Sequence, residues 1–185
     1  MSTIKPIETV YKGYRFRSRL EARWAIFFDA TETKWSYEME GYNIEGMLYL
    51  PDFYLPDYRL WVEIKPDDEL EIENGIKKAS KLCFQSKKVV VIFAGTPGEH
   101  RTILIKPWQN LPGVYVSKGE YDFFECKHCG KLSFIHMYKA LREKGVLGDE
   151  LHIKGCNCIE RGKTGNSDFA VAKAKQARFE HGESG

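Results

Sequence analysis

The chain has 185 residues, 43% hydrophobic and 14% aromatic, with a net charge of +2, which suits a globular fold and excludes a disordered or polycationic chain. Nothing approaches the ~18 consecutive apolar residues of a membrane span. Residues 1–10 lack a basic start followed by an apolar core, so no secretory signal is expected and the chain reads as cytosolic.

Residues 1–120 are charge-neutral and residues 121–185 carry the +2, so any affinity for nucleic acid must come from local patches. Residues 11–17 (YKGYRFR) predict a short strand or loop broken by Gly13. Ser18 is a candidate helix N-cap, and Glu21 three residues later can complete a capping box. From Arg19 to about Ala30, Leu20, Trp24, Phe27 and Phe28 recur at helical spacing. Glu21 falls on the margin of that apolar face. It either only caps the helix or turns its carboxylate toward the segments that follow; a carboxylate at an apolar margin is costly without a partner, which favours the second. Trp35–Glu40 alternates like a strand, and Gly41–Gly46 reads as a turn or irregular edge.

The densest signal is Leu48–Pro66 (LYLPDFYLPDYRLWVEIKP), two apolar-aromatic runs around Pro56-Asp57-Tyr58-Arg59, the pattern of a β-hairpin. A turn centred between Asp57 and Tyr58 sets Tyr54 opposite Trp61, Asp52 opposite Glu63 and Leu50 opposite Lys65. Alternation then puts Glu63 and Lys65 on the face of Asp52 and turns Val62 and Ile64 away. Opposed side chains stand about 4.5–5.5 Å apart at Cβ, where like charges repel, so Asp52 and Glu63 invite a cation. Mg²⁺, or Mn²⁺ in its place, suits such a pair, with the Ile64 carbonyl as a third protein oxygen. Lys65 would stand beside that metal and its water. This is the outline of a phosphodiester-hydrolysing site. Tyr42, Tyr49 and Tyr54 either stack on bases or, as aromatics at strand spacing more often do, pack on the sheet.

Pro66-Asp67-Asp68 ends the strand, and acids open a helix over residues 69–86, with Leu70, Ile72, Ile76, Ala79, Leu82 and Cys83 at helical intervals. Cys83 reads as a small buried apolar residue rather than a nucleophile. Lys77, Lys78 and Lys81 form a solvated basic face, or one of them meets a phosphate. VVVIFAG is a continuous β-branched run, the mark of a buried central strand. Gly95–Gly98 is a turn, and residues 101–106 and 114–117 are late strands. Helix, hairpin, helix and buried strand predict an α/β fold with a mixed central sheet flanked by helices.

Cys126-x-x-Cys129-Gly130 has the spacing of a zinc-knuckle turn, and Cys156-x-Cys158 follows after 26 intervening residues, with a helix predicted over about Ser133–Lys144. Cys126, Cys129, Cys156 and Cys158 make the simplest Zn²⁺ site; His128, His136 or His152 could replace one ligand, and the bland alternative is four unligated thiols. A full ligand set leaves no open position, so the zinc would be structural, folding a segment too short to bury its own core. Three parts are expected: 1–120, a Cys-rich module over 121–160, and a linker, basic helix and flexible tail over 161–185. On the helix expected at 168–180, Lys173, Lys175 and Arg178 either track a phosphate backbone or are merely solvated.

Pro51-Asp52 followed by Glu63-Ile64-Lys65 resembles the signature of the PD-(D/E)XK nucleases, which include restriction enzymes, Holliday junction resolvases and phage and mobile-element nucleases. The likeness spans roughly Tyr11 to Gly98, and RSRLEARWA resembles the first helix, on which several of these families carry a glutamate. It implies a restriction-endonuclease-like fold and a Mg²⁺-dependent DNA endonuclease acting in the cytoplasm of a bacterial or phage-infected host cell. Asp52 and Glu63 would ligate the metal, Lys65 would orient or help deprotonate the attacking water, and Glu21 would support the metal or its water. Lys81, on the helix after the motif, would contact the scissile strand. DNA is the implied partner, and one active site per chain would favour a homodimer for double-strand cutting. The zinc-ribbon-like module would then bind DNA or a partner beside the nuclease. Two rivals remain: a non-catalytic zinc-finger adaptor binding nucleic acid or protein through residues 121–180, and an interaction protein whose acid pair is a solvated strand face.

Overall fold

The structure is a computed structural model that describes residues 6–108, 112–119, 121–125, 132–136 and 166–179. It opens with a small hairpin, β1 (Thr9–Tyr11) and β2 (Tyr14–Phe16), turning through Lys12 and Gly13, both at positive φ. Helix α1 (Arg19–Ala30) follows. Its N-cap is Ser18, whose hydroxyl accepts from the Glu21 N–H at 3.2 Å, as the capping-box spacing predicts. Trp24, Phe27 and Phe28 are buried on its inner face, with the Trp24 ring stacked on Phe93 at 4.4 Å.

The predicted strand at Trp35–Glu40 shrinks to β3 (Ser36–Tyr37). Gly41–Gly46 is not a plain turn. It contains most of a second small hairpin, β4 (Tyr42–Ile44) and β5 (Met47–Tyr49), closed by Glu45 and Gly46, both at positive φ. Two-residue loops of that geometry match the strand twist, but Glu-Gly is a weaker signal than Asn-Gly or Asp-Gly.

The site hairpin is β6 (Phe53–Leu55) with β7 (Leu60–Lys65), in the expected register: Phe53 pairs with Val62, Tyr54 with Trp61 and Leu55 with Leu60. The ladder stops there. Leu48 and Tyr49 belong to β5, so Leu50 never pairs with Lys65. Helix α2 (Glu69–Ser86) is capped by Asp68 and ends at Lys87 in the left-handed region, with Ile72, Ala79, Leu82 and Cys83 buried and Leu70 exposed. The buried run is β8 (Val89–Thr96), followed by β9 (Glu99–Pro107) and β10 (Val114–Lys118).

These elements form a six-stranded sheet in the order β10-β9-β8-β7-β6-β3, with β7 and β8 parallel and the other neighbours antiparallel. The β7-α2-β8 crossover requires that parallel pair. Alternation splits the sheet's side chains between two cores. Val62, Ile64, Val91, Phe93 and Leu104 pack with α1, while Trp61, Val90, Ile92, Ala94, Ile103 and Ile105 pack with α2. The fold is therefore α/β, with helices on both faces of a mixed sheet.

Two strands, β11 (Tyr121–Glu125) and β12 (Leu132–His136), pair antiparallel and bury Tyr121, Phe123, Leu132 and Phe134 in the α1-side core. The helix predicted from Ser133 therefore begins instead as a strand, because Leu132 and Phe134 alternate into that core. Helix α3 (Asn166–Gln176) starts and ends earlier than expected and packs against α1, with Ala170 and Ala174 fully buried. It is neither detached nor merely solvated. Among the described residues no helix is long and apolar enough to cross a membrane.

Candidate active site

Asp52 ends up buried (3% exposed) one residue before β6, where the ladder with β7 has run out. Its carboxylate replaces the missing strand: Oδ2 accepts from the Ile64 N–H at 2.6 Å. A strand residue that forms antiparallel hydrogen bonds directs its N–H and C=O to the same side. The Ile64 carbonyl therefore faces the same open edge as Asp52. The other oxygen, Oδ1, meets the Arg17 guanidinium at 2.5 Å.

Glu63 (5% exposed) lies on the face away from Val62 and Ile64, as the alternation requires. Lys65 Nζ contacts its Oε1 at 2.8 Å, and the buried Tyr49 hydroxyl donates to its Oε2 at 2.9 Å. Gly75 of α2 makes room for the lysine stem: a Cβ there would lie 3.5 Å from Lys65 Cε and 3.3 Å from Ile92 Cδ1. Lys65 is thus held between the strand that carries Glu63 and a helix position without a side chain.

Glu21 (7% exposed) does more than cap the helix. Its Oε1 accepts from the Ser18 hydroxyl at 2.7 Å, and its Oε2 accepts from the Tyr37 hydroxyl at 2.6 Å and the Arg17 N–H at 3.2 Å. It also lies close enough to Asp52 to act on that carboxyl's charge. Arg17 ties the group together, reaching Glu38 at 2.8 Å as well as Asp52, while its side chain stays 54% exposed.

Electrostatics follow from packing three acids into one dry corner. Burial, then Glu63 and Glu21, push the Asp52 carboxyl well above its usual value, despite the opposing Ile64 N–H and Arg17. Burial works against the charge on Lys65, but Glu63 and Asp52 outweigh it and hold the ammonium above its ordinary range. Tyr49 is raised by burial and then by Glu63, and Tyr37 by burial and then by Glu21, so both remain phenols that donate. Oxygen-only donors carrying excess negative charge fit a hard divalent cation such as Mg²⁺. Among the described residues no three His, Cys, Asp or Glu side chains already form a metal cage. Asp52, Glu63 and the Ile64 carbonyl would hold the ion, with Arg17 and Lys65 giving way.

The structure brings together Asp52, Glu63, Ile64, Lys65 and Glu21. It does not bring Lys81 to them as a free cation: Lys81 pairs with Glu45 of the β4–β5 turn at 3.0 Å. Lys173 and Lys175 lie on α3 and Arg178 just beyond it, with Lys175 paired to Glu99 at 2.6 Å. The tyrosines took their structural role: Tyr42 and Tyr54 pack on Trp61, and Tyr49 serves Glu63. Cys126, Cys129, Cys156 and Cys158, with His128 and His152, lie outside the described residues, as does the His136 side chain. Arg17, Tyr37 and Glu38 were not anticipated as site residues, and Tyr49 was weighed for base stacking or sheet packing but not as a partner of Glu63. No local signal marks Arg17, which stands before the N-cap Ser18 with Arg15 and Arg19 two residues to either side.

No family model matches this chain, and no curated protein or solved structure matches it significantly. Its chemistry must be judged from these residues.

Proposed function

We propose that this protein is a metal-dependent DNA endonuclease of the PD-(D/E)XK kind, with a restriction-endonuclease-like core and a zinc-binding module built from Cys126, Cys129, Cys156 and Cys158. The observation that supports it best is the buried pair Asp52 and Glu63 at the end of one hairpin, beside Lys65, with the Asp52 carboxylate on the Ile64 N–H. A bound Mg²⁺ or Mn²⁺ would supply an acidified water and offset phosphate charge. Asp52, Glu63 and the Ile64 carbonyl would hold the ion. Lys65, freed from Glu63, would orient the attacking water and donate to charge developing on the phosphate. Glu21 would keep Arg17 and Tyr37 in place at the site's edge. Water attacks phosphorus in line, the bond to the leaving oxygen breaks, and no covalent enzyme intermediate forms. One site per chain favours a homodimer where both strands are cut.

The test is cleavage of a supercoiled plasmid and of a synthetic four-way junction in Mg²⁺ or EDTA. Wild type should cut only with metal, and Asp52→Asn and Lys65→Ala should lose at least 10²-fold, the scale of one removed catalytic donor. Equal cutting by Asp52→Asn would end the nuclease assignment.

One observation favours a second reading. Arg17 and Lys65 already neutralise Asp52 and Glu63, so the cluster could be a structural ion-pair network in an adaptor that binds nucleic acid or protein through residues 121–180. That adaptor would show no stabilisation by Mg²⁺.

A further inference from the structure

Away from the carboxylates, α1 and the C-terminal segment enclose an open groove of about 690 Å³. Arg19, Arg23, Lys175 and Arg178 line it, with Gln176 and Phe179, and among the described residues no carboxylate does. Arg19 and Arg23 are four residues apart, hence on one side of α1, while Glu21 between them points to the other side. The Nε atoms of both arginines are buried and lack a hydrogen-bond partner among the described residues. Arg15, Arg17 and Arg101 are each paired with an acid, whereas Arg19, Arg23 and Arg178, like the exposed Arg59 elsewhere, have no acid partner among the described residues. Buried guanidinium donors left unpaired call for an acceptor. The fork of each guanidinium suits a phosphate, and an open channel suits a strand better than a small nucleotide.

We propose that this groove seats the phosphate backbone of duplex DNA, gripping the strand that flanks the bond cut beside Asp52 and Glu63. This rests on the nuclease assignment. A helix with its side chains is roughly 10–12 Å thick, about three nucleotides of rise along one strand, and Glu21 leaves α1 on the side opposite Arg19 and Arg23. One backbone could therefore occupy the groove while its neighbouring phosphates reach the carboxylates. The docking of α3 fixes the groove's second wall: a Cβ at Gly98 would fall 2.6 Å from Val171 Cγ1, so the helix sits directly on the β8–β9 turn.

The experiment is binding of a fluorescein-labelled DNA duplex by the full chain in EDTA, followed by anisotropy over a salt series. Arg19→Gln/Arg23→Gln should weaken binding about tenfold and reduce the slope of log K against log salt by about two. Arg178→Gln, an exposed position that cannot disturb the core, should reduce the slope by about one. Lys77→Gln/Lys78→Gln, on the exposed face of α2, should change neither. Unchanged slopes in the arginine variants would overturn the proposal. So would a dependence on these arginines seen with duplex RNA or inorganic pyrophosphate and not with duplex DNA. Asp52→Asn should keep the binding slope while losing cleavage, so failure of the groove and failure of the nuclease are read separately.

Discussion

Arg17 and Asp52 are 35 residues apart in sequence and meet at 2.5 Å at the open end of β6. Arg17 comes from the residue before the N-cap of α1, and Asp52 from the residue before the strand that carries the site. The guanidinium thus occupies one of the two oxygens that a metal would need.

Arg17→Gln should therefore destabilise the metal-free protein by about 1–3 kcal/mol, less than a fully buried pair because Arg17 is half-exposed. Mg²⁺ should recover most of that loss and bind the variant more tightly than wild type. Urea titrations with and without the ion check this. A variant as stable as wild type in EDTA would show that Arg17 does not compensate Asp52.

The raised Asp52 carboxyl makes a pH prediction with a definite sign. Between its ordinary value of 3.8 and its raised folded value, the native state holds a proton that the unfolded chain has lost. Stability from this group is present at low pH and is lost as pH rises through the folded value. Asp52→Asn should flatten that decline and stabilise the metal-free protein near neutrality. Mg²⁺ binding should strengthen with pH over the same window, because the ion needs the carboxylate. Denaturation midpoints measured from pH 4 to 8 would refute this if they rose with pH by the same amount in both proteins.

Gly75 sits in the interior of α2, where glycine ordinarily costs about 1 kcal/mol relative to alanine. Its neighbours explain it: a Cβ would press on Ile92 and the Lys65 stem. Gly75→Ala should change stability by under about 1 kcal/mol, propensity opposing crowding, yet lower cleavage severalfold by displacing Lys65. Thermal melting and rate measured on one preparation separate the two effects. Full activity would mean that Lys65 tolerates the shift.

The zinc site proposed on Cys126, Cys129, Cys156 and Cys158 carries its own prediction. Purified protein should release about one zinc per chain to a chromogenic chelator after thiol modification, and Cys126→Ser or Cys156→Ser should lower that stoichiometry and the melting temperature. Zinc content near zero in fresh protein would leave the cysteines as plain thiols.

Much of the site was legible because its signals are local. The runs around Pro56-Asp57-Tyr58-Arg59 fixed the register of Phe53–Leu55 on residues 60–62, but Asp52 lies beyond that ladder, not paired with Glu63, and reaches β7 through its side chain. The capping box oriented Glu21 for the same reason. Arg17 was not legible, since nothing local separates it from Arg15 or Arg19; its partner is set by how α1 meets the hairpin. The β4–β5 hairpin was missed because its Glu-Gly turn is an uncommon one. Helix α3 looked detached because its buried residues are alanines, whose small side chains leave little periodic contrast but allow close approach to α1.

The two cysteine pairs are separated by β12: Cys126 and Cys129 fall between β11 and β12, Cys156 and Cys158 between β12 and α3, and all three elements are moored to one core, α3 against α1 and Gly98. Cutting the chain at residue 120 would therefore strip Tyr121, Phe123, Leu132, Phe134 and the alanines of α3 from that core, and loss of activity would say nothing about zinc. An internal excision, joining the end of β12 to the start of α3 with a short flexible bridge, keeps every moored element together with Cys126 and Cys129 while removing Cys156 and Cys158, and loop closure depends only weakly on length. For whoever edits this gene, the second cysteine pair can be swapped from within the fold without touching its core.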